Sequence, residues 1–121
     1  MNRLTESDII APFIGMDVNP ERFNSVVHRS YGNDYTIRNV DYIDSPQYCE
    51  LFGVTDRLKE MWGYSGVDFT LHLTLENWTI TKCNLDKLSE CGGHGRPITH
   101  VLSISQQELR VARRILQYIT N

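Results

Sequence analysis

Apolar and polar residues alternate most regularly between positions 68 and 83, and this two-residue period predicts a pair of β-strands. Every second residue from Phe69 to Leu75 is apolar, with polar residues in between. Trp78 and Ile80 resume the alternation after a short interruption. The segment is therefore expected to form an antiparallel hairpin with one apolar and one polar face.

The interruption, Glu76-Asn77, has the length of a two-residue hairpin turn, and asparagine tolerates the positive φ that such turns require. Closing the hairpin here pairs Leu75 with Trp78 on the buried face. It also places His72 and Cys83 together on the polar face. Trp78 is then a core residue, and we expect its truncation to alanine to cost about 3–5 kcal/mol of stability.

Two shorter apolar segments predict further strands near residues 35–43 and 99–103. Turns and short helices separate the strands, with no long crossover connections, so the sheet is expected to be antiparallel. The sequence therefore predicts a single α+β domain over residues 1–121, with helices packed on one face of the sheet.

The strongest helix signal covers residues 106–119, near the end of the chain. Ser105 and Glu108 have the spacing of a capping box, in which each side chain bonds the backbone N–H of the other residue. An apolar stripe at helical spacing follows from Leu109 to Ile119. We expect this helix to pack its stripe against the sheet.

Shorter helices are indicated by N-terminal caps and by proline or glycine stops. They are predicted over residues 6–10, 20–31, 46–52 and 56–62. The second begins after Asn19, with Pro20 at its first position. Its apolar stripe extends to Tyr31, and Gly32-Asn33 would end it.

The composition fits one globular domain and narrows the classes of function. The 121 residues are 40% hydrophobic and 22% charged, with a net charge of -3. A mildly negative chain does not favour bulk nucleic-acid binding. Residues 1–60 carry ten acids and six bases, whereas residues 61–121 carry five acids and six bases. This polarity is consistent with a protein partner or with self-association, and ordinary solvated surface would give the same pattern.

The three cysteines are an odd number, which does not suit the paired disulfides of a secreted protein. The first residues include acids and lack the apolar core of a signal peptide. No apolar run approaches the roughly 20 residues of a membrane span. We therefore expect a cytoplasmic protein that makes no use of a membrane.

A glycine-rich loop begins at Cys91, and its Cys91-x2-His94 spacing resembles half of a zinc knuckle. The glycines allow a tight turn, so both side chains could face one ion. A tetrahedral zinc needs two more ligands, for which Cys83 and His100 are the candidates. His72 could replace Cys83 if both lie on the polar face of the hairpin. The alternative is a glycine turn with a lone thiol and exposed histidines, and no other cofactor is indicated.

Two weaker patterns resemble sites of phosphoryl chemistry. Cys91 and Arg96 resemble a phosphatase cradle, but four residues separate them where that site has five. His72-x-Thr74 resembles one half of the paired signature of two-histidine phosphoesterases. Residues 100–103 have one residue too many between His and Ser to supply the other half. A threonine-rich polar strand explains the second pattern without any catalytic role.

Three arginines of the last helix, Arg110, Arg113 and Arg114, lie outside its apolar stripe. They could bind an acidic partner or the phosphates of a nucleic acid. Alternatively, they complement the helix dipole and shield apolar surface with their stems. With Arg96 and His72 they make up the candidate binding residues.

No motif is specific enough to fix a reaction, so three hypotheses remain. The first is a small non-enzymatic protein-binding factor, such as an inhibitor, adaptor or immunity-type protein. The second is a nucleic-acid-binding protein that uses the arginines of the C-terminal helix. The third is a zinc-binding protein or small hydrolase built on the loop from Cys91 to His94. A protein partner or a homo-oligomer is therefore expected ahead of nucleic acid.

Overall fold

The computed structural model describes residues 3–38, 46–57, 67–90, 99–101 and 104–120. Within these ranges the strands are β1 (Arg29–Tyr31), β2 (Asp34–Arg38), β3 (Val67–Glu76), β4 (Thr79–Glu90) and β5 (Thr99–Val101). The α-helices are α1 (Glu6–Ile10), α2 (Pro20–Val26), α3 (Pro46–Phe52) and α4 (Gln106–Ile119), with a 3-10 turn at Ala11–Phe13. One sheet with accompanying helices confirms the α+β class.

The described strands form one antiparallel sheet in the order β1-β2-β3-β4-β5, so each strand pairs with its neighbours in the chain. Alternate residues of β3 from Phe69 to Leu75 are buried, whereas Thr70, His72 and Thr74 between them are half-buried. The buried strand residues join those of the helices in one hydrophobic core. This arrangement confirms the prediction of an antiparallel sheet with helices on one face.

Helix α4 has the bounds and the cap that the sequence predicts. The Ser105 hydroxyl accepts a hydrogen bond from the Glu108 N–H at 3.2 Å, and the Glu108 carboxylate accepts one from the Ser105 N–H at 3.0 Å. Ile115, Leu116 and Ile119 of its stripe are fully buried. Because α4 contacts α1, α2 and α3, it forms the centre of the helical layer.

Helix α2 begins as predicted but ends early. The Asn19 side chain accepts a hydrogen bond from the Arg22 N–H at 3.1 Å, and Pro20 fills the first helical position. The helix ends at Val26, after which the backbone becomes extended. The predicted helix over 20–31 is therefore wrong in its last part.

The residues after Val26 form the edge strand β1 instead of another turn of helix. Tyr31 pairs with Asp34 of β2 around a Gly32-Asn33 turn, in which Gly32 has a φ of 62°. The Asn33 carbonyl accepts a hydrogen bond from the Leu75 N–H at 2.9 Å. A glycine-asparagine pair can end a helix or close a hairpin, and this bond to β3 helps to hold the hairpin.

Helix α3 ends at Gly53, as predicted. Gly53 has a φ of 72°, and the Val54 N–H bonds the Cys49 carbonyl at 2.8 Å. This pattern is a Schellman motif, whose left-handed position favours glycine. The helix predicted over 56–62 lies mostly outside the described residues.

The β3–β4 hairpin turns one residue later than the sequence pattern suggests. Its turn residues are Asn77 and Trp78, which have left-handed φ values of 51° and 64°. Leu75 therefore pairs with Ile80 and not with Trp78. The Ile80 N–H also donates to the Met16 carbonyl at 3.0 Å, so the chain before α2 supports this register from the side. The predicted Glu76-Asn77 turn is wrong. Pairing with a segment that is distant in the sequence cannot be read from the local pattern of residues.

A shift in pairing follows directly in β4. Leu75 of β3 pairs with Ile80, whereas the preceding Thr74 pairs with Lys82. Thr81, between Ile80 and Lys82, is therefore an extra residue in β4. An extra residue of this kind reverses the alternation of the strand that contains it. Cys83 consequently pairs with Leu73 on the packed face. The prediction that Cys83 shares a face with His72 is wrong for this reason.

Trp78 is not a core residue, contrary to expectation. It keeps 42% of its surface exposed, and its ring meets the Phe23 ring edge-on at a centroid distance of 6.3 Å. Its position in the turn places it at the end of the sheet and not over the apolar face. Truncation should therefore cost less than the about 3–5 kcal/mol expected for a core aromatic.

Candidate functional site

The face of the sheet opposite the helices is polar and accessible to solvent. We call it the open face and define it by the described side chains that occupy it. These are Arg29, Tyr31, Asp34, Thr36, Thr70, His72, Thr74, Lys82, Asn84 and Asp86. They come from four strands, so the sheet gathers residues that lie far apart in the sequence.

Cross-strand pairing orders most of these residues into two rows. One row contains Arg29, Thr36, His72 and Asn84. The other row contains Tyr31, Asp34, Thr74 and Lys82. Side chains paired on neighbouring strands are about 5 Å apart. Arg29 and Lys82 therefore lie on opposite sides of His72.

Both described carboxylates of the open face have fixed partners. His72 Nε2 lies 2.9 Å from Asp86 Oδ2, with 37% and 50% of the two side chains exposed. The Thr74 hydroxyl donates to Asp34 Oδ1 at 2.7 Å. Asp86 thereby holds the imidazole of His72 in place.

Helix α1, in the helical layer, contains a further carboxylate that is influenced by Asp86. Desolvation by burial and, to a smaller extent, the negative charge of Asp86 raise the pKa of Glu6 above its usual value. Helix α1 contacts β4, which accounts for the influence of Asp86 on Glu6. Asp86 therefore interacts with a histidine on the open face and repels a carboxylate of the helical layer.

The open face contains a shallow depression of about 350 Å³. Arg29, His72 and Lys82 contribute to its lining, and Tyr31 lies at its edge with 86% of its surface exposed. Among the described residues, neither the Arg29 nor the Lys82 side chain forms a hydrogen bond or an ion pair with another residue. The depression thus combines two available cations with a histidine whose orientation is fixed.

Cys83 lies away from the open face, in an apolar setting. Burial raises the pKa of its thiol to about 12. At neutral pH the free thiol is therefore protonated. His72 and Cys83 occupy opposite faces of the sheet, so they cannot substitute for one another at one ion.

The register also separates Cys83 from His100. His100 pairs with Ser89, which lies six positions beyond Cys83 in β4, or roughly 20 Å along an extended strand. Among the described residues, no group of three or more His, Cys, Asp or Glu side chains is placed to hold a metal ion. The other predicted loop residues, Cys91, His94 and Arg96, lie outside the described residues. Zinc binding by that loop stays a prediction.

The three arginines of α4 are exposed, but one of them packs against another helix. A Cβ atom built on Gly53 would lie 2.8 Å from Nη1 of Arg114, so the guanidinium lies directly against the turn that ends α3. A cation at a helix C-terminus interacts favourably with the helix dipole. Arg114 thus has a structural contact, whereas Arg110 and Arg113 show exposure alone.

A second surface lies at the end of the β3–β4 hairpin. We call it the hairpin end and define it by Asp17, Glu76, Asn77 and Trp78. The segment before α2 reaches this turn through a β-bridge from Asp17 to Thr79 and a 2.8 Å hydrogen bond between their side chains. Trp78 is 42% exposed. A large apolar side chain and two acids therefore share this end of the sheet.

Sequence reasoning identified His72 but missed the residues around it. Arg29, Lys82 and Asp86 belong to three separate pattern segments, and only the cross-strand register brings them together. The exposure of Trp78 had one local signal, since asparagine at the first position of a two-residue turn suits an Asn77-Trp78 turn.

Comparison of the chain with known proteins identified no relative. No family model matches the chain, and no match was found among curated proteins or solved structures. In the described part of the chain, every helix is too short or too polar to cross a membrane.

Proposed function

We propose that this protein is a small non-enzymatic protein-binding factor and that the hairpin end is its docking surface. The observation that carries the proposal is the conformation of Trp78, a half-exposed tryptophan at a left-handed backbone position. Inhibitors, adaptors and immunity-type proteins act through contact surfaces without chemistry of their own.

The left-handed conformation of Trp78 is unfavourable for a residue with a side chain. It costs on the order of 1 kcal/mol per residue, and glycine is the favoured residue at the second position of such a turn. The ring offsets part of this cost through its edge contact with Phe23, yet much of its surface remains exposed. Unfavourable backbone conformations persist most often at functional sites.

Tryptophan is also the kind of residue that anchors protein interfaces. Interface hot spots are enriched in tryptophan, tyrosine and arginine, and they are surrounded by contacts that exclude water. Trp78 keeps 42% of its surface exposed at a turn flanked by the exposed acids Asp17 and Glu76. This combination favours a protein partner over a small polar ligand.

The charge of the hairpin end indicates what kind of partner it suits. Residues 14–17 and 76–78 contain two acids, Asp17 and Glu76, and no lysine or arginine. Both acids are exposed. Complementary charges set the specificity and the association rate of protein complexes. The partner is therefore expected to present an apolar group flanked by basic residues.

Affinity capture from the native host, using wild-type protein and two variants, tests the proposal. Trp78→Ala should lose a specific partner. Leu51→Ala is the matched control, because Leu51 is 49% exposed on α3, away from the hairpin. The captured partner should then bind the purified Trp78→Ala protein about 30-fold more weakly, as for an interface hot spot of about 2 kcal/mol. Identical capture by wild type and Trp78→Ala would contradict the proposal.

A further inference from the structure

We propose that the depression on the open face binds a phosphate monoester that carries an aromatic ring, such as a nucleoside monophosphate. This site is separate from the hairpin end and does not depend on the docking function proposed above. It is formed by β1, β2, β3 and β4, and its volume of about 350 Å³ falls within the range of small-molecule sites.

Two cations are positioned to hold the phosphate. Arg29 pairs with Thr36, which pairs with His72. Arg29 and His72 are therefore two strand spacings apart, which is roughly 10 Å in total. Lys82 lies on the other side, paired with Thr74. Arg29 and Lys82 lie three strand spacings apart, or roughly 14 Å, so a phosphate between the two extended side chains could contact both. Arginine also binds phosphate through paired hydrogen bonds.

The carboxylates of the same face do not satisfy these cations. Asp34 accepts a hydrogen bond from Thr74, and Asp86 is paired with His72. Within the described part of the chain, Arg29 and Lys82 have no ion-pair partner. An anionic ligand would give each of these side chains an ion-pair partner, which neither Asp34 nor Asp86 provides.

Neutral polar groups and one aromatic ring complete the site. Thr36 and Asn84 occupy the same row as Arg29 and His72, and they add a hydroxyl and an amide donor. Tyr31 stands at the edge with 86% of its surface exposed, so its ring can receive another ring by stacking. Tyr31 is the reason to infer a ligand with a ring and not free phosphate.

Titration of the full-length protein, followed by backbone amide NMR, tests this site. The probes are adenosine 5′-monophosphate, phenyl phosphate, inorganic phosphate and adenosine. Both monoesters should bind saturably and shift the amides of β1, β3 and β4 on the open face. Arg29→Gln and Lys82→Gln should each weaken the binding about tenfold, the effect of one charge-assisted contact. Tyr31→Ala should weaken the two monoesters but not inorganic phosphate.

Matched controls make the result decisive. Arg113→Gln removes an exposed arginine from α4 and should leave binding unchanged, as should Trp78→Ala at the hairpin end. Unaltered amide spectra of the free variants establish that each retains the fold. The proposal is overturned if neither monoester saturates by about 10 mM, if Arg113→Gln weakens binding as much as Arg29→Gln does, or if adenosine binds as tightly as its monophosphate.

Discussion

Helix α4 and the β3–β4 hairpin differ in how well local preferences agree with the final structure. In α4 the capping box, the apolar stripe and the burial all lead to one result. In the hairpin, a tryptophan occupies a left-handed turn position, and an extra residue reverses the alternation of β4. Sites where a protein departs from local rules are often sites of function, and here both departures lie beside exposed residues.

The two regions therefore have different roles in the protein. Helix α4 stabilises the fold, because its stripe is enclosed by the sheet and the other helices. The hairpin positions its exposed side chains through backbone conformations that local energy does not favour. Substitutions in the two regions should therefore have different consequences.

The largest effect is expected in α4. Leu116 is fully buried, so Leu116→Ala removes apolar contacts and leaves a cavity that costs about 2–5 kcal/mol. Chemical denaturation measures the loss. Gln117→Ala, at an exposed neighbouring position, is the control and should change stability by less than about 0.5 kcal/mol. A loss below about 1 kcal/mol for Leu116→Ala would mean that α4 is not the centre of the core.

A smaller effect is expected at Gly53, the left-handed position that does hold glycine. Gly53→Ala should destabilise the protein by about 1–2 kcal/mol, because alanine is strained at a φ of 72° and its Cβ would lie 2.8 Å from Arg114 Nη1. Adding Arg114→Ala should recover the part that comes from the close contact. A neutral Gly53→Ala would remove the evidence that left-handed positions carry a cost in this chain.

The effect that is smallest at neutral pH concerns the thiol on the packed face of β4. The pKa of Cys83 is raised to about 12, so the folded protein keeps a proton that the unfolded chain loses near pH 9. Stability is therefore unaffected by this group below about pH 9 and falls as the pH rises toward 12. Cys83→Ala should give a shallower fall in unfolding free energy over that window. Equal slopes would indicate that Cys83 faces water, as the original alternation pattern implied.

The sequence was informative where structure depends on neighbouring residues. Caps and stripes predicted the bounds of α4 and α3, because those signals act within a few residues. The turn at Asn77-Trp78 was missed because pairing with the segment near Met16 supports the register. The open face was predicted only in part, as the polar hairpin face with His72: Arg29 joins the row of His72 only through the register of three strands. Pairing between segments that are distant in the sequence cannot be predicted from local patterns.

The most direct test of the central claim compares two substitutions at Trp78. Both Trp78→Gly and Trp78→Ala remove the ring, so they lose the same contact with Phe23. If the backbone at this position is left-handed, glycine is favoured, and Trp78→Gly should be more stable than Trp78→Ala by about 1 kcal/mol. That result would show that the chain retains a tryptophan where its backbone favours glycine. An alanine variant as stable as the glycine variant, or more stable, would contradict the account.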